Sequence, residues 1–147
     1  MARTSTYLNF PRTTEEAFNF YKSVFGGNFI DEKINRFGEI PPMDGAPPIA
    51  DEDKNLVMHV ALPITGGHLL MGTDAPESMG FTVTPGNNVY IAIHTDSRAE
   101  ADRLFGQLSD GGNIEMPMQD MFWGDYYGAI TDQFGIKWML NYSTKAI

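Results

Sequence analysis

The hydrophobic positions of this chain change their spacing along its length, and these changes predict alternating strands and helices. The run Thr6–Phe10 alternates polar and large apolar side chains, as a half-buried strand does. From Ala17 to Phe25 the apolar side chains recur at helical spacing, and Gly26-Gly27 ends that pattern as a C-terminal glycine cap does. Residues 13–16, Thr-Thr-Glu-Glu, have the spacing of a capping box, so the helix is predicted to begin there.

The same order of elements occurs a second time. Val89–His94 reads as a strand, Ser97–Glu100 as a second capping box, and Ala101–Leu108 as a helix that ends at Gly-Gly-Asn, like the first. A repeat of this length in only two copies indicates a duplicated module. We therefore predict an α+β fold of two βαβββ modules, about residues 3–74 and 86–143. Each half is too small to bury its own sheet face, so both should belong to one domain that spans the whole chain.

The remaining strands are predicted around turns. Leu56–Leu62 and Gly67–Gly72 form one expected hairpin, and Asn28–Phe37 reads as a strand before it. Tyr126–Thr131 and Ile136–Asn141 form another, joined by Asp-Gln-Phe-Gly. In that turn Asp tolerates a tight opening and Gly supplies the residue with positive φ.

The segment Gly38–Asp53 contains four prolines and two glycines, which exclude a helix interior or a central strand. A loop of this length is typical of a lid, a binding loop or an insert. The sequence leaves its role open.

Composition excludes several classes of protein. The chain has 147 residues, no cysteine and a formal net charge of −9. Without cysteine there is no disulfide and no thiolate metal site, and the acidic balance disfavours a nucleic-acid partner. No apolar run reaches the length of a membrane span, and the N-terminus lacks the layout of a signal peptide. We expect a cytoplasmic protein with no nucleic-acid or membrane partner.

Three sequence blocks, taken in order, resemble the PhnB-like branch of the vicinal oxygen chelate superfamily. They are Tyr-Leu-Asn-Phe with Glu-Glu-Ala-Phe-Asn-Phe-Tyr-Lys-Ser-Val-Phe-Gly-Gly, then Val-Met-His-Val-Ala-Leu, then Trp-Gly-Asp-Tyr-Tyr-Gly with Asp-Gln-Phe-Gly-Ile-Lys-Trp. The superfamily also holds glyoxalase I, bleomycin-resistance proteins and extradiol dioxygenases. The resemblance implies paired modules with mixed sheets that curl around a cup, usually completed in a homodimer. Its members are small-molecule enzymes or binders, and many carry a divalent metal.

The resemblance also implies where such a metal would be held. The superfamily's metal ligands, carried over to this sequence, fall on Thr6 or Tyr7, Met71, Tyr90 and Met139. Phenol and thioether side chains are poor ligands for hard divalent ions. We therefore predict no metal and no cofactor.

Strand alternation predicts which side chains line the cup, because residues two apart share a face. The predicted ligand-binding residues are Tyr7, Asn9, Met71, Tyr90, His94, Phe122, Trp123 and Met139. Phe122 and Trp123 are expected at the mouth. The candidates for catalysis are His59 and His94, which suit acid and base roles near neutral pH. Either histidine could equally be a hydrogen-bonded structural residue.

The leading hypothesis is a protein that binds a small organic molecule in a cup without a metal, its reaction undetermined. One alternative is a metal-dependent lyase, isomerase or transferase that uses His59, His94 and an acid such as Asp125. Another is a resistance-type protein that sequesters a cationic drug, which the acidic charge and the aromatic groove would suit. The sequence does not decide whether the chain is an enzyme.

Overall fold

A computed structural model of the chain describes residues 1–41 and 44–144. The chain divides into two compact units, Met1–Thr84 and Pro85–Ile147. Among the described residues, no helix is both long enough and apolar enough to span a membrane.

Within its described residues, the first unit contains one α-helix and four strands. They are β1 (Thr6–Phe10), α1 (Thr14–Phe25), β2 (Asn35–Arg36), β3 (Val57–Pro63) and β4 (Leu69–Asp74). The sheet has the order β1-β4-β3-β2, with β1 parallel to β4 and the other pairs antiparallel.

The second unit repeats this arrangement. Its elements are β5 (Ile91–His94), α2 (Arg98–Leu108), β6 (Asn113–Asp120), β7 (Asp125–Thr131) and β8 (Lys137–Ser143). The sheet order is β5-β8-β7-β6, again with the first pair parallel and the rest antiparallel. The predicted fold class is confirmed: the chain is an α+β protein with two βαβββ modules, each with a four-stranded mixed sheet and a helix.

In the first unit the helix covers one face of the sheet. Leu8 and Phe10 are buried, whereas Tyr7 and Asn9, which alternate with them along β1, are exposed. Gly72 lies beside Leu8 in the sheet, and a Cβ added there would come within 2.4 Å of the Phe18 ring of α1. A glycine at this position therefore lets the helix approach the strand closely.

The second unit has the same alternation. Ile93, Trp138 and Leu140 are buried, whereas Ala92 and His94 on the opposite face of β5 are exposed. We call the face of each sheet that lies opposite its helix the helix-free face. It contains Tyr7 and Asn9 in the first unit, and Ala92 and His94 in the second.

The two predicted capping boxes have different outcomes. The Ser97 hydroxyl accepts the backbone N–H of Glu100 at 3.1 Å, as predicted. Thr13 is the residue before α1, but its side chain makes no capping hydrogen bond, so the prediction for that box is wrong. The start of α1 is held by a different contact, in which the backbone N–H of Thr14 donates to Oδ1 of Asp74 at 3.0 Å.

The predicted strand Asn28–Phe37 is also mostly wrong. Only Asn35–Arg36 pair with β3, and residues 30–32 form a 3₁₀ turn. Asp31 and Glu32 have φ angles of 59° and 52°, which a β-strand does not permit. The loop that follows contains short 3₁₀ turns at Phe37–Glu39 and Asp51–Asp53; its residues 42 and 43 lie outside the described part.

Candidate functional site on the helix-free faces

On the helix-free face of the first unit, Tyr7 and His59 lie together. Tyr7 neighbours Met71 across the parallel pair of β1 and β4. Its hydroxyl oxygen is 3.4 Å from Nδ1 of His59, and the two rings are 5.9 Å apart between centroids. Ser5 donates from its hydroxyl to the Met71 sulfur, at 3.8 Å. Tyr7 is 48% exposed, so a molecule in solution can reach this group.

On the helix-free face of the second unit, a polar network joins three strands to the start of β5. The Lys137 ammonium donates to Oε1 of Glu115 at 2.7 Å and to Oγ1 of Thr131 at 3.0 Å. The Tyr90 hydroxyl donates to the same Glu115 oxygen at 3.1 Å. The ammonium also lies 5.3 Å from the centre of the Tyr90 ring, within cation–π distance.

The electrostatics of this network favour its charged form. The hydrogen bond from Lys137 lowers the pKa of the Glu115 carboxyl, and the Tyr90 hydroxyl adds to this effect against the opposing effect of burial. The hydrogen bond to Glu115 correspondingly raises the pKa of Lys137. Burial raises the pKa of the Tyr127 phenol, and the nearby Tyr90 and Glu115 raise it further. At neutral pH the Lys137–Glu115 pair is therefore ionised.

The predicted site residues fall into three places. Tyr7, Asn9, Met71 and the candidate base His59 belong to the first unit. Tyr90, His94 and Met139 belong to the second, where Nδ1 of His94 is 3.5 Å from the side-chain nitrogen of Asn141. Phe122 and Trp123 occupy the connection between β6 and β7, with their rings edge to face at 4.9 Å and Phe122 97% exposed.

The positions carried over from the superfamily do not pair identically in the two sheets. Tyr7 lies directly across from Met71, but the residue across from Met139 is Ala92. Tyr90 lies before the first residue of β5 and makes its contacts with Glu115 and Lys137 instead. The two helix-free faces thus carry different chemistry, a Tyr–His pair on one and a Lys–Glu–Tyr network on the other.

These side chains do not fit a hard divalent metal. The Tyr90 hydroxyl donates to Glu115, and the Met71 sulfur accepts from Ser5. Within either unit, no group of three or more His, Asp or Glu residues among positions 1–41 and 44–144 is placed to hold a metal ion. Phenols and thioethers remain the donors at the carried-over positions: a phenol must lose its proton to bind a metal strongly, and a thioether suits softer ions than Mg²⁺ or Mn²⁺.

Sequence reasoning missed Glu115, Thr131 and Lys137. Lys137 carried a usable signal, because it lies two residues before Met139 on β8 and must share its face. Glu115 had no comparable signal in the sequence, because the register between β6 and β7 shifts between Ile114 and Met116. Such an irregularity is not visible in an alternation pattern.

Comparison with known proteins adds family evidence to this geometry. A model of the Glyoxalase/Bleomycin resistance protein/Dioxygenase superfamily matches residues 8–140. Protein YjdN of Escherichia coli (strain K12) is 28% identical over 146 residues, which cover 93% of this chain and 92% of YjdN.

Two solved structures resemble the chain over almost its whole length. Protein PA1353 from Pseudomonas aeruginosa has a TM-score of 0.80 and 33% identity, covering 97% of this chain and 98% of that one. A PhnB protein from Bacillus cereus, described as a candidate 3-demethylubiquinone-9 3-methyltransferase, has a TM-score of 0.72 and 26% identity, covering 97% of this chain and 100% of that one.

Proposed function

Because this chain belongs to the Glyoxalase/Bleomycin resistance protein/Dioxygenase superfamily, we propose that it binds a small organic molecule on the helix-free faces of its sheets. The similarity to a PhnB protein agrees with the resemblance seen in the three sequence blocks.

The observation that carries this proposal is the polar network of Tyr90, Glu115 and Lys137. Lys137 has a side-chain exposure of only 12%, yet the residue lies on the face that α2 does not cover. Holding an ammonium and a carboxylate where little of either side chain is exposed costs solvation free energy. A pair of apolar side chains in the same place would not have that cost. Titratable groups whose pKa values are shifted by a specific charged partner cluster at functional sites.

The Tyr7–His59 pair of the first unit supports a second place where such a molecule can bind. Phenol and imidazole rings offer an apolar surface with polar tips, which suits an organic ligand better than a bare ion. We propose that the site works without a metal, because the donors available at Tyr7, Met71, Tyr90 and Met139 do not suit one.

We further propose that the two modules form one domain and that two copies of the chain associate. β1 and β6 are edge strands of their sheets, and Phe122 extends into solvent beyond β6. Exposed strand edges and aromatic side chains are surfaces that association would cover. Light scattering at micromolar concentration should return the mass of a dimer, and a strict monomer would contradict this part of the proposal.

The binding proposal is tested by nuclear magnetic resonance. A library of small organic fragments is added to ¹⁵N-labelled protein whose backbone amide signals are assigned. Fragments that bind should shift the signals of residues around Tyr7 and His59, or around Tyr90 and Lys137, before any signals of α1 and α2. If the fragments shift only helix signals, or none at all at millimolar concentration, the proposed site is wrong.

A further inference from the structure

We propose that the helix-free face of the second unit selects a carboxylate ligand, which takes over the Lys137 ammonium from the Glu115 carboxylate. This inference rests on the proposed function and names the class of molecule that the site accepts. It follows from an asymmetry between the two members of the ion pair: one is fixed in the sheet and the other can move away.

Lys137 is the fixed member. It begins β8, which lies between β5 and β7 inside the sheet, and only 12% of its side chain is exposed. The Thr131 hydroxyl oxygen accepts a hydrogen bond from the ammonium, and the Tyr90 ring lies 5.3 Å from it. These two contacts hold the ammonium in place whether or not Glu115 is present.

Glu115 is the movable member. It belongs to β6, the edge strand, and sits where the register with β7 shifts between Ile114 and Met116. Its side chain is 27% exposed, more than twice the exposure of Lys137. A residue at an irregular edge can rotate outward without breaking a regular ladder of backbone hydrogen bonds.

The chemical class of the ligand follows from the charge that remains on the face when Glu115 moves away, which is the Lys137 ammonium. A largely desolvated ammonium needs an anion beside it, since an unpaired charge at low exposure is costly. Glu115 supplies that anion through one oxygen, Oε1, which accepts from both Lys137 and the Tyr90 hydroxyl. A ligand carboxylate has the same shape and charge, so it can accept the same two hydrogen bonds. A cationic ligand would instead meet the fixed ammonium and be repelled.

Two tyrosine rings on the same face offer a surface for the apolar part of the ligand. Tyr127 shares this face with Thr131, because the two lie four residues apart on β7. Tyr90 contacts both Lys137 and Glu115, and Tyr127 lies near enough to Tyr90 and Glu115 for both to raise its pKa. An aromatic or apolar body attached to the carboxylate would contact these two rings. This combination favours an organic acid over a bare anion such as acetate.

The test uses three probes of the same shape and different charge: benzoate, benzamide and benzamidinium. Each is titrated into the ¹⁵N-labelled full-length protein, and the amide signals of Glu115, Thr131 and Lys137 are followed. Benzoate should bind about tenfold more tightly than benzamide, the ratio expected for a charge-assisted hydrogen bond. Equal binding of the three probes, preference for benzamidinium, or no shift of these signals with benzoate would each overturn the inference.

Variants of the two partners should then act in opposite directions. Lys137→Met should weaken benzoate binding about tenfold or more, and Lys137→Arg should retain most of it. Glu115→Gln should strengthen benzoate binding about fivefold, because the competing charge is gone while an acceptor remains. A pair with a purely structural role would instead leave benzoate affinity unchanged, or weaken it in both Lys137→Met and Glu115→Gln.

A matched control comes from the same strand. Asp120 also lies on β6 and pairs with Arg98 of α2. Asp120→Asn therefore removes an ion pair of β6 on the helix side, and benzoate affinity should not change. If Lys137→Met fails to fold by circular dichroism, the contrast between Lys137→Arg and Glu115→Gln decides the question. Fragments that shift the helix-free faces without any preference for carboxylates would overturn this inference and leave the proposed function standing.

Discussion

The indole N–H of Trp138 donates a buried hydrogen bond of 2.9 Å to Oδ2 of Asp132. The other oxygen of Asp132 accepts the backbone N–H groups of Phe134 and Ile136, at 2.8 and 3.1 Å. One carboxylate thus fixes the turn between β7 and β8 and the largest fully buried side chain. This turn sets the register that brings Lys137 opposite Thr131.

Removing that carboxylate should destabilise the protein strongly. Asp132→Ala removes the acceptor of three hydrogen bonds at a buried position, and we expect a loss of roughly 3 to 5 kcal/mol in the free energy of unfolding. Urea denaturation followed by tryptophan fluorescence measures it. Asp51→Ala, at an exposed acid, is the control and should leave the denaturation midpoint unchanged. A midpoint for Asp132→Ala equal to that of the control would show that the turn does not depend on this carboxylate.

The two helix starts should respond differently to the loss of a hydroxyl. Ser97→Ala removes the acceptor for the Glu100 N–H and should lower the free energy of unfolding by about 1 kcal/mol. Thr13→Ala removes no capping hydrogen bond and should change it by less than about 0.5 kcal/mol. Equal losses in the two variants, measured by the same denaturation experiment, would contradict the structural difference between the caps.

Two glycine-to-alanine substitutions should change the free energy of unfolding in opposite directions. At Gly72 the added methyl would meet the Phe18 ring within 2.4 Å, so Gly72→Ala should cost about 2 to 3 kcal/mol. Gly106 lies within α2 and has open space around it, so Gly106→Ala should stabilise by about 0.5 to 1 kcal/mol through helix propensity. Thermal unfolding of both variants checks the pair, and a stable Gly72→Ala protein would mean that α1 does not pack this closely on β4.

The sequence correctly predicted those elements that are held by contacts between residues close together in the chain. The Asp132–Gly135 turn and the Ser97 cap depend on residues within four positions of one another, and both are present. At the start of α1 the observed contact is long-range instead: the Thr14 N–H donates to Asp74, sixty residues away on β4. The Thr-Thr-Glu-Glu spacing alone contains no sign of that contact.

The candidate site was predictable only in part for the same reason. Alternation along β1 correctly separated Tyr7 and Asn9 from Leu8 and Phe10, because a regular strand has a period of two. The Glu115–Lys137 pair joins residues on different strands across a register shift, 22 positions apart. Its position follows from tertiary geometry, which no single stretch of sequence encodes.

The metal-free proposal predicts the outcome of adding divalent ions. Zn²⁺, Ni²⁺ or Mn²⁺ titrated into chelator-treated protein should give no stoichiometric binding by calorimetry and no shift of the Tyr90 or Met139 amide signals. The phenol and thioether groups at the carried-over positions are poor ligands for these ions. One tightly bound equivalent that broadens those signals with Mn²⁺ would overturn the proposal, whereas weak broadening at exposed acids elsewhere would leave it standing.

The Glu115–Lys137 ion pair should make the stability of the protein depend on pH, with a loss of stabilisation at low pH and another at high pH. The folded-state pKa of Glu115 is lower than its ordinary value of 4.5, so the folded protein binds fewer protons there than the unfolded chain. The stabilisation is therefore complete above about pH 4.5 and is lost as the pH falls through the folded-state pKa. The pKa of Lys137 is raised above its ordinary value of 10.5, so its contribution is complete below that pH and is lost as the pH rises further.

The difference in the free energy of unfolding between wild type and Glu115→Gln isolates this contribution. It should stay constant from about pH 5 to pH 9, where both groups are charged in the folded and unfolded states. It should then shrink on acidification below pH 4.5, because protonated Glu115 resembles the amide of the variant. Urea denaturation at a series of pH values measures it, with Asp120→Asn run in parallel. A difference that grows towards low pH would mean that Glu115 is neutral in the folded protein, and the exchange of its carboxylate for a ligand carboxylate would then have no basis.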